Sequence, residues 1–530
     1  MAQGSGRAVG QRAVGRRSVL RGGAAASAAI ALPVVLPGAA APSLALSGRP
    51  AARWGVQTGD VTASSGLVWV RSDRPARMVV ETSATESFRA VRRQAGPLLG
   101  PGTDFTGTTP LHGLPPGEQV HYRVLLCDPD DPRRTGRPVY GTFRTAPAGR
   151  RDGARFLWSG DLAGQGWGIN PDRGGFPIFD EMRRRDPDFF LCSGDTIYAD
   201  GPIAPSVTLP DGRVWRNVTT EEKSKVAETL AEFRGAFRYN LLAENLRRFN
   251  AQVPGIVQWD DHEVVNNWYP GEILDDDRYT EKSVDVLAGR SRRAFSEYFP
   301  VSTLRPGGDG RMHRVVRHGP LLDVFVLDMR TYRNANSPNT APEDEQGILG
   351  AEQLAWLKRE LSRSRAVWKV IASDMPLGLI VRDGSHSEAV AQGDPGAPLG
   401  RELQIAEILR HIKHRRITGT LWLTADVHYT SAQHYDPSRA AFTDFEPFWE
   451  FVSGPLNAGG FPALKLDGTF GPEQVFVSAP DRANVSPLDG GQYYGEVDID
   501  GDSGELTVRL LEEGGTVLFT KVLQPGRVGQ

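Results

Sequence analysis

The chain contains the stretch Gly255-Ile-Val-Gln-Trp-Asp-Asp-His-Glu263, in which a short apolar run ends directly in three acidic side chains and a histidine. An apolar run of this kind is typical of a buried strand. Four further apolar runs also end at an aspartate. Each of these runs is followed within three residues by its aspartate: Arg155–Trp158 by Asp161, Phe189–Cys192 by Asp195, Trp368–Ala372 by Asp374, and Leu421–Thr424 by Asp426. We expect the five strands to end at one edge of a single sheet, where α/β proteins bind ligands.

The convergence of these aspartates indicates a metal site. A single aspartate after a strand could simply cap the next helix. Five carboxylates gathered at one edge would repel one another, and each would raise the pKa of its neighbours. A bound cation removes that conflict, so the pattern favours metal binding over five independent caps.

The region from residue 148 to 530 is predicted to form one α/β domain, because apolar strands alternate with helical stretches. The range Thr219–Asn250 is predicted to be a long helix that begins at a capping box, Thr219-x-x-Glu222. A second amphipathic helix is predicted over Ala351–Ser364. At the carboxyl end, Tyr493–Leu523 is predicted to be a β-hairpin that turns at Asp500-Gly-Asp502.

A separate all-β domain is predicted over residues 49–147. Gly66–Arg71 and Ala76–Glu81 have the alternating pattern of strands, and Gly, Pro and Asp clusters separate such runs. The stretch Leu111–Leu126 resembles a signature of fibronectin type III-like sandwiches. We therefore expect a small β-sandwich of that type before the α/β domain.

Residues 1–48 are predicted to be a signal peptide and linker. They hold five arginines and no acidic residue, and the pair Arg16-Arg17 precedes a weakly apolar run, Gly22–Leu36. Ala39-Ala-Ala41 offers a small-residue cleavage site. The paired arginines indicate the twin-arginine export machinery as a partner. The sequence thus predicts a secreted, cell-wall or periplasmic protein without a transmembrane anchor.

The composition excludes several classes of protein. The formal net charge is −3, from 61 Lys+Arg and 64 Asp+Glu, so the chain lacks the basic surplus of a nucleic-acid-binding protein. Removal of the signal peptide would make it more acidic, since that segment carries arginines and no acid. Two cysteines in 530 residues exclude a disulfide scaffold and a CxxC metal site. The composition leaves the oligomeric state open.

Four blocks of the sequence resemble the PhoD-like alkaline phosphatases, within the calcineurin-like and purple acid phosphatase-type metallophosphoesterases. The blocks are Gly194-Asp-Thr-Ile-Tyr-Ala199, Trp259-Asp-Asp-His-Glu-Val264 with Asn266-Asn-Trp268, Leu327-Asp-Met-Arg-Thr-Tyr-Arg333 and Glu450-Phe-Val-Ser-Gly-Pro455. The resemblance implies a layered β-sandwich flanked by helices, preceded by a small all-β fibronectin III/Ig-like domain. It also implies a secreted hydrolase that acts on phosphomonoesters through a metal-activated hydroxide.

The resemblance further implies two adjacent metal ions. The first would be held by Asp161, Asp195, Tyr198 and His428, and Asp195 would bridge to a second held by Asp261, Asp374 and Asp426. A phenolate ligand favours Fe³⁺, but Asp161 stands where the family commonly has cysteine, which makes Mn²⁺ an alternative. The second set offers only oxygen, which suits Ca²⁺, Mg²⁺ or Mn²⁺ better than Zn²⁺, and the resemblance points to Ca²⁺.

The remaining site residues are assigned to substrate. His262 would reach the phosphate or protonate the leaving oxygen, and Glu263 could orient its ring. Asn266 and Asn267 either donate to the phosphate or only shape the loop. Arg330 either neutralises the phosphate or forms a structural ion pair with Asp328.

Two other functions remain open at this point. A phosphodiesterase or phospholipase D-like enzyme, acting on lipid head groups or polymer phosphodiesters, would have the same metal core. The long loops Asn334–Gly350 and Val381–Gly400 would then decide the substrate. A non-enzymatic binding protein on a degenerate phosphatase domain is the third hypothesis, and the intact Asp195, Tyr198 and His262 argue against it.

Overall fold

The computed structural model describes residues 48–148, 152–341 and 347–526. Seven strands form the N-terminal β-sandwich. They are β1 Val56–Gly59, β2 Ser65–Arg71, β3 Ala76–Ser83, β4 Arg92–Leu99, β5 Thr106–His112, β6 Gln119–Cys127 and β7 Val139–Arg144. One sheet has the order β4-β3-β6-β7, and β1, β2 and β5 pair in the other. The apolar core between them includes Val68, Met78 and Tyr122. The predicted signal peptide lies almost wholly outside the described residues.

Seventeen strands follow in the described part of the chain. They are β8 Ala154–Ser159, β9 Phe189–Ser193, β10 Ser206–Thr208, β11 Val214–Arg216, β12 Gly255–Gln258, β13 Arg314–His318, β14 Leu322–Val326, β15 Trp368–Ala372, β16 Arg382–Asp383, β17 His386–Ser387, β18 Thr420–Thr424, β19 Thr430–Tyr435, β20 Phe448–Val452, β21 Pro472–Ser478, β22 Tyr493–Ile499, β23 Leu506–Glu512 and β24 Val517–Leu523.

The strands that carry the predicted site belong to two sheets, so the expectation of a single sheet is wrong. One sheet has the order β24-β23-β22-β8-β9-β12-β1-β2-β5, and the other has the order β13-β14-β15-β18-β20-β19-β21. Strands β8, β9 and β12 run parallel in the first sheet, and β14, β15, β18 and β20 run parallel in the second. Single-sequence patterns give strand direction poorly, and the fully apolar strands look alike in both sheets.

The two large sheets pack face to face, and alternation along each strand separates the two faces. In β9, Phe189 and Leu191 join the core between the sheets, which also contains Val370 and Leu421. Phe190 and the free Cys192 face the core on the helical side. The first sheet continues into the N-terminal sandwich, because β1 pairs with β12 at Gly59 and Gly255.

Six helices cover the outer faces of the two sheets in the described residues. They are α1 Ile178–Arg184, α2 Leu230–Asn240, α3 Glu244–Asn250, α4 Val284–Tyr298, α5 Gly350–Arg363 and α6 Glu402–His414. Helices α1–α4 pack on the nine-stranded sheet, and α5 and α6 pack on the seven-stranded sheet. None of these helices is long and apolar enough to cross a membrane. The predicted class is confirmed: a layered β-sandwich flanked by helices, after a small all-β domain.

Two predicted elements differ from the structure. The stretch predicted as one helix over Thr219–Asn250 contains α2 and α3, and the capping box is formed by Thr229 and Glu232. The predicted helix over Ala351–Ser364 is confirmed as α5. The predicted C-terminal hairpin is a three-stranded antiparallel meander, β22-β23-β24, because a second turn follows Glu512.

Candidate metal centre

Each predicted aspartate lies just beyond the strand that precedes it. Asp161 follows β8, Asp195 follows β9, and Asp426 follows β18. These three residues and His428 have left-handed backbones, with φ of 65°, 49°, 71° and 59° respectively. Such conformations are costly for residues other than glycine, and they cluster at functional sites. The strand ends therefore turn sharply to bring these side chains together.

A first group of ligand atoms consists of Asp161, Asp195 and His428, whose atoms all lie within 4.8 Å of one another. The Nδ1–H of His428 donates to the carbonyl of Gly459 at 2.6 Å, which leaves Nε2 unprotonated, with its lone pair as an acceptor. That Nε2 lies 2.8 Å from the Tyr198 hydroxyl and 3.7 Å from Asp161 Oδ1. Burial lowers the pKa of His428 to about 4, so the ring is neutral and suited to a metal.

A second group consists of Asp260, Asp261 and Asp426, and a third combines Asp195, Asp261 and His262. Asp195 therefore belongs to one group with Asp161 and to another with Asp261. Asp260 was not predicted as a ligand, although it directly precedes Asp261 at the strand end. These groups form one continuous cluster of ligand atoms.

Asp374 lies beside this cluster but outside the three groups. Its Oδ2 lies 3.3 Å from the Nε of Arg330. Neither of its carboxylate oxygens has a hydrogen-bond partner among the described residues. The structure thus brings Asp374 beside the second group, where it shares Arg330 with Asp261.

Burial and mutual repulsion dominate the electrostatics of the cluster. Burial, followed by neighbouring acids such as Asp261, raises the pKa of Asp161 and of Asp195 above the ordinary range. Burial and then Glu388 raise the pKa of Asp426 in the same way. Asp161 Oδ2 and Asp260 Oδ2 are buried without a hydrogen-bond partner. Cations would stabilise these carboxylates in their charged form, so the donor set fits hard metal ions.

Arg330 is fully buried among the acids rather than exposed toward a phosphate. Its Nε donates to Asp260 Oδ1 at 2.6 Å, and its Nη2 lies 3.3 Å from Asp261 Oδ1. On the other side it pairs with Glu388, which also pairs with Arg333. The predicted ion pair of Arg330 with Asp328 is not formed, since only the backbone N–H of Arg330 donates to that carboxylate. The guanidinium instead neutralises part of the carboxylate cluster.

His262 lies at the open side of the cluster, where 14% of its side chain is exposed. Its ring packs on the Tyr198 ring, with centroids 4.2 Å apart. Its Nδ1 lies 2.8 Å from Asp200 Oδ1, and its Nε2 lies 3.9 Å from Asp261 Oδ2. Burial alone would lower the pKa of His262, but Asp200, Asp261 and Asp195 outweigh it and raise the pKa. Asp200 thus holds the ring, a contact that the sequence analysis missed.

Glu263 has a different role from the predicted orientation of His262. Its carboxylate accepts backbone N–H bonds from Asp195 at 3.1 Å, from Thr196 at 2.6 Å and from Asp260 at 2.7 Å. It also accepts from the Thr196 hydroxyl at 2.6 Å and from the N–H of Ile197 at 3.3 Å. Glu263 therefore fixes the two strand-end turns that carry the ligands.

The two asparagines lie on the loop beside His262. Asn266 is exposed, and its N–H donates to Asp200 Oδ2 at 3.0 Å. Asn267 is half-buried, and its N–H donates to Asp261 Oδ2 at 2.7 Å. Their backbones therefore hold both carboxylates in place. No hydrogen bond from either side-chain amide occurs within the described residues, which leaves both amides available to a ligand.

Two sequence models of known families match the chain. The model described as "PhoD-like phosphatase" matches residues 156–510, and "PhoD-like phosphatase, N-terminal domain" matches residues 39–147. The chain belongs to the PhoD-like phosphatase family. It is accordingly a metallophosphoesterase of the phosphoric ester hydrolase class, and the resemblance noted in the sequence is confirmed.

One curated relative and two solved structures are similar to the chain. The chain is 27% identical over 453 residues to alkaline phosphatase D of Bacillus subtilis (strain 168), covering 80% of this chain and 72% of that protein. The solved structure of PhoD matches with a TM-score of 0.69 at 22% identity, covering 92% and 94% of the two chains. Purple acid phosphatase PPD1 from yellow lupin (Lupinus luteus) seeds matches with a TM-score of 0.56 at 12% identity, covering 90% of this chain and 74% of that one. These likenesses support the fold described above.

Proposed function

We propose that the chain hydrolyses phosphate monoesters with two metal ions held at the strand ends. The observation that carries this proposal is the position of Asp195, whose carboxylate reaches both Asp161 with His428 and Asp261 with His262. One carboxylate shared by two ligand groups is what a pair of neighbouring cations needs. Tyr198, through its hydroxyl next to His428 Nε2, completes the first set.

The chemistry of the donors favours different metals in the two sets. The first set combines a phenol, an imidazole and two carboxylates, which suits Fe³⁺ or Mn²⁺. The second set, Asp260, Asp261 and Asp426 with Asp195, offers oxygen alone and suits Ca²⁺. When bound, two such cations supply neutralisation of the phosphoryl oxygens and a more acidic water. Asp374 is a further proposed ligand, because its buried oxygens lack hydrogen-bond partners.

The chain's own residues would bind the ester and move a proton. His262 is partly exposed on the open side of the cluster, and its Nε2–H would donate to the leaving oxygen. Asp200 would hold the ring by accepting from Nδ1–H. The amides of Asn266 and Asn267 would donate to the phosphate from the same loop. Arg330 would act indirectly, by keeping Asp260 and Asp261 charged and in place.

The proposal is tested by turnover measured together with metal content. Metal-free protein should lose activity and recover it on addition of Ca²⁺ with Fe³⁺ or Mn²⁺. The restored enzyme should hydrolyse the monoester p-nitrophenyl phosphate faster than the diester bis(p-nitrophenyl) phosphate. Asp195→Asn should lower kcat by more than about 100-fold and reduce bound metal, because it removes the shared carboxylate. The exposed Asp394→Asn serves as the matched control. Full activity in Asp195→Asn would refute the proposal, and faster diester cleavage would favour a phosphodiesterase.

We also propose export through the twin-arginine pathway, on the basis of the sequence before residue 48. Replacing Arg16 and Arg17 together with lysine should leave the protein inside the cell, since that pathway reads the arginine pair. The matched control replaces Arg7 and Arg12, which lie outside the pair. Cell fractionation followed by immunoblotting measures the outcome. Equal export of both variants would contradict the proposal.

A further inference from the structure

A second group of buried oxygen donors lies among residues that the metal centre does not use. Glu402 is the first residue of α6, Gln392 lies in the loop before it, and Asp467 and Thr469 lie in the loop before β21. All four side chains are at least nine-tenths buried: Glu402 is 1%, Gln392 3%, Asp467 4% and Thr469 0% exposed. We call these four residues the Glu402 cluster.

The donors of the Glu402 cluster are poorly satisfied by the protein. Glu402 Oε1, the Thr469 hydroxyl and both side-chain amide atoms of Gln392 are buried with no hydrogen-bond partner among the described residues. Buried polar atoms of native proteins are rarely left in this state. Glu402 Oε2 accepts a long bond from the N–H of Leu399, at 3.3 Å, and the Thr469 hydroxyl and the Gln392 backbone lie close to the same carboxyl. The Glu402 carboxyl lies next to the Thr469 hydroxyl and the Gln392 backbone, so unpartnered atoms belong to side chains of adjoining segments.

The charge of the Glu402 cluster is also uncompensated. Asp467 accepts backbone N–H bonds from Gly393 and Thr469, both at 2.7 Å. No ion pair joins either carboxylate to a Lys, Arg or His residue in the described ranges. Burial first, and then Asp467, raises the pKa of Glu402 to about 9, while the nearby Thr469 hydroxyl opposes the rise. Two buried acids within electrostatic reach of each other need a proton or a cation between them.

We propose that the Glu402 cluster binds a structural Ca²⁺ ion. Two carboxylates, a hydroxyl and an amide oxygen give an all-oxygen set, which excludes metals that prefer nitrogen or sulfur. Three separate chain segments supply these donors, and Ca²⁺ tolerates the irregular geometry that such loops produce better than Mg²⁺ does. Because the donors are buried, the ion would not meet substrate. It would join the loop before α6, the start of α6 and the loop before β21.

The proposal is tested by counting bound Ca²⁺ in the purified full chain. After equilibration with Ca²⁺ and removal of free ion by gel filtration, elemental analysis should find one Ca²⁺ per chain fewer in Glu402→Gln and Asp467→Asn than in the unchanged protein. The matched control, Asp394→Asn, alters an exposed acid of the same loop and should keep the full content. Equal Ca²⁺ content in all four proteins would overturn the proposal and identify Glu402 as a neutral buried acid.

A second measurement separates this ion from the metal centre. In an Asp195→Asn background, Ca²⁺ should still raise the melting temperature, and adding Thr469→Val should weaken that rise at low Ca²⁺ concentration. Thr469→Val keeps the shape of the side chain and removes only the oxygen, so the protein should remain folded. A Ca²⁺-induced rise that is the same with and without Thr469→Val and Glu402→Gln would overturn the proposal. Neither result depends on turnover, so loss of the proposed activity would not be mistaken for loss of this ion.

Discussion

The substitution Glu263→Gln tests whether the Glu263 carboxylate holds the two strand-end turns of the metal centre in place. It keeps the size of the side chain and replaces one acceptor oxygen with an NH₂ group. Glu263 Oε2 accepts from the N–H groups of Asp195 and Asp260, and Oε1 accepts from Thr196 and Ile197. In either orientation of the amide, at least two backbone donors lose their acceptor. A buried donor without a partner costs about 1–3 kcal/mol, so the variant should lose about 2–6 kcal/mol of stability.

The assay is urea unfolding in excess chelator, so that metal binding does not contribute to the free energy of unfolding. Glu221→Gln is the control, since Glu221 is exposed and the same change there should have an effect near zero. Metal titration of the two variants should then show weaker binding only in Glu263→Gln, because the turns carrying Asp195 and Asp260 lose their common anchor. A loss below about 1 kcal/mol with unchanged metal affinity would refute the reasoning.

Three further predictions concern the surroundings of the site. Asp200→Asn should lower kcat by about 10–100-fold without loss of metal, because the His262 ring loses its charged partner. A change of kcat within twofold in steady-state kinetics would show that Asp200 does not position His262. Burial raises the pKa of Glu450 from 4.5 to about 7, so the folded state holds a proton that the unfolded chain releases. The free energy of unfolding should therefore fall by about 3 kcal/mol as the pH rises from below 4.5 to above 7. Urea unfolding at pH 5 and pH 8 should therefore show a smaller decrease in Glu450→Gln, and an identical decrease would contradict the assignment. Lys223→Met should destabilise the protein by about 1–3 kcal/mol in thermal unfolding, because the buried ammonium donates to the carbonyls of Tyr198 and Gly201 at 2.6 and 2.9 Å. An unchanged melting temperature would show that water replaces the ammonium group.

The positions of the proposed ligands could be predicted from the sequence because they depend on strand ends. An apolar strand followed by an aspartate is a local pattern, and parallel strands that end together bring such residues to one edge. That reasoning holds for Asp161, Asp195 and Asp426 even though the strands belong to two sheets instead of one. The number of sheets depends on which apolar faces pack together, and short buried strands carry too little pattern to reveal it.

The contacts around the ligands could not be predicted, because they join distant loops. Asp200 reaches His262 from 62 residues away in the chain, and Glu388 reaches Arg330 from 58 residues away. The predicted start of the helix at Thr219 was wrong for a different reason. Both Thr219 and Thr229 are followed three residues later by glutamate, and the structure forms the capping box only at Thr229. Tertiary contacts decided between two equivalent local signals.

Anomalous X-ray diffraction from crystals grown with Ca²⁺ and Mn²⁺ tests the central claim most directly, because it locates each metal among named side chains. We expect two peaks about 3.5–4 Å apart on either side of the Asp195 carboxylate. One peak should contact Asp161, Tyr198 and His428, and the other should contact Asp261 and Asp426. Crystals that show no peak beside Asp195, or a single peak that excludes His428, would contradict the two-metal centre.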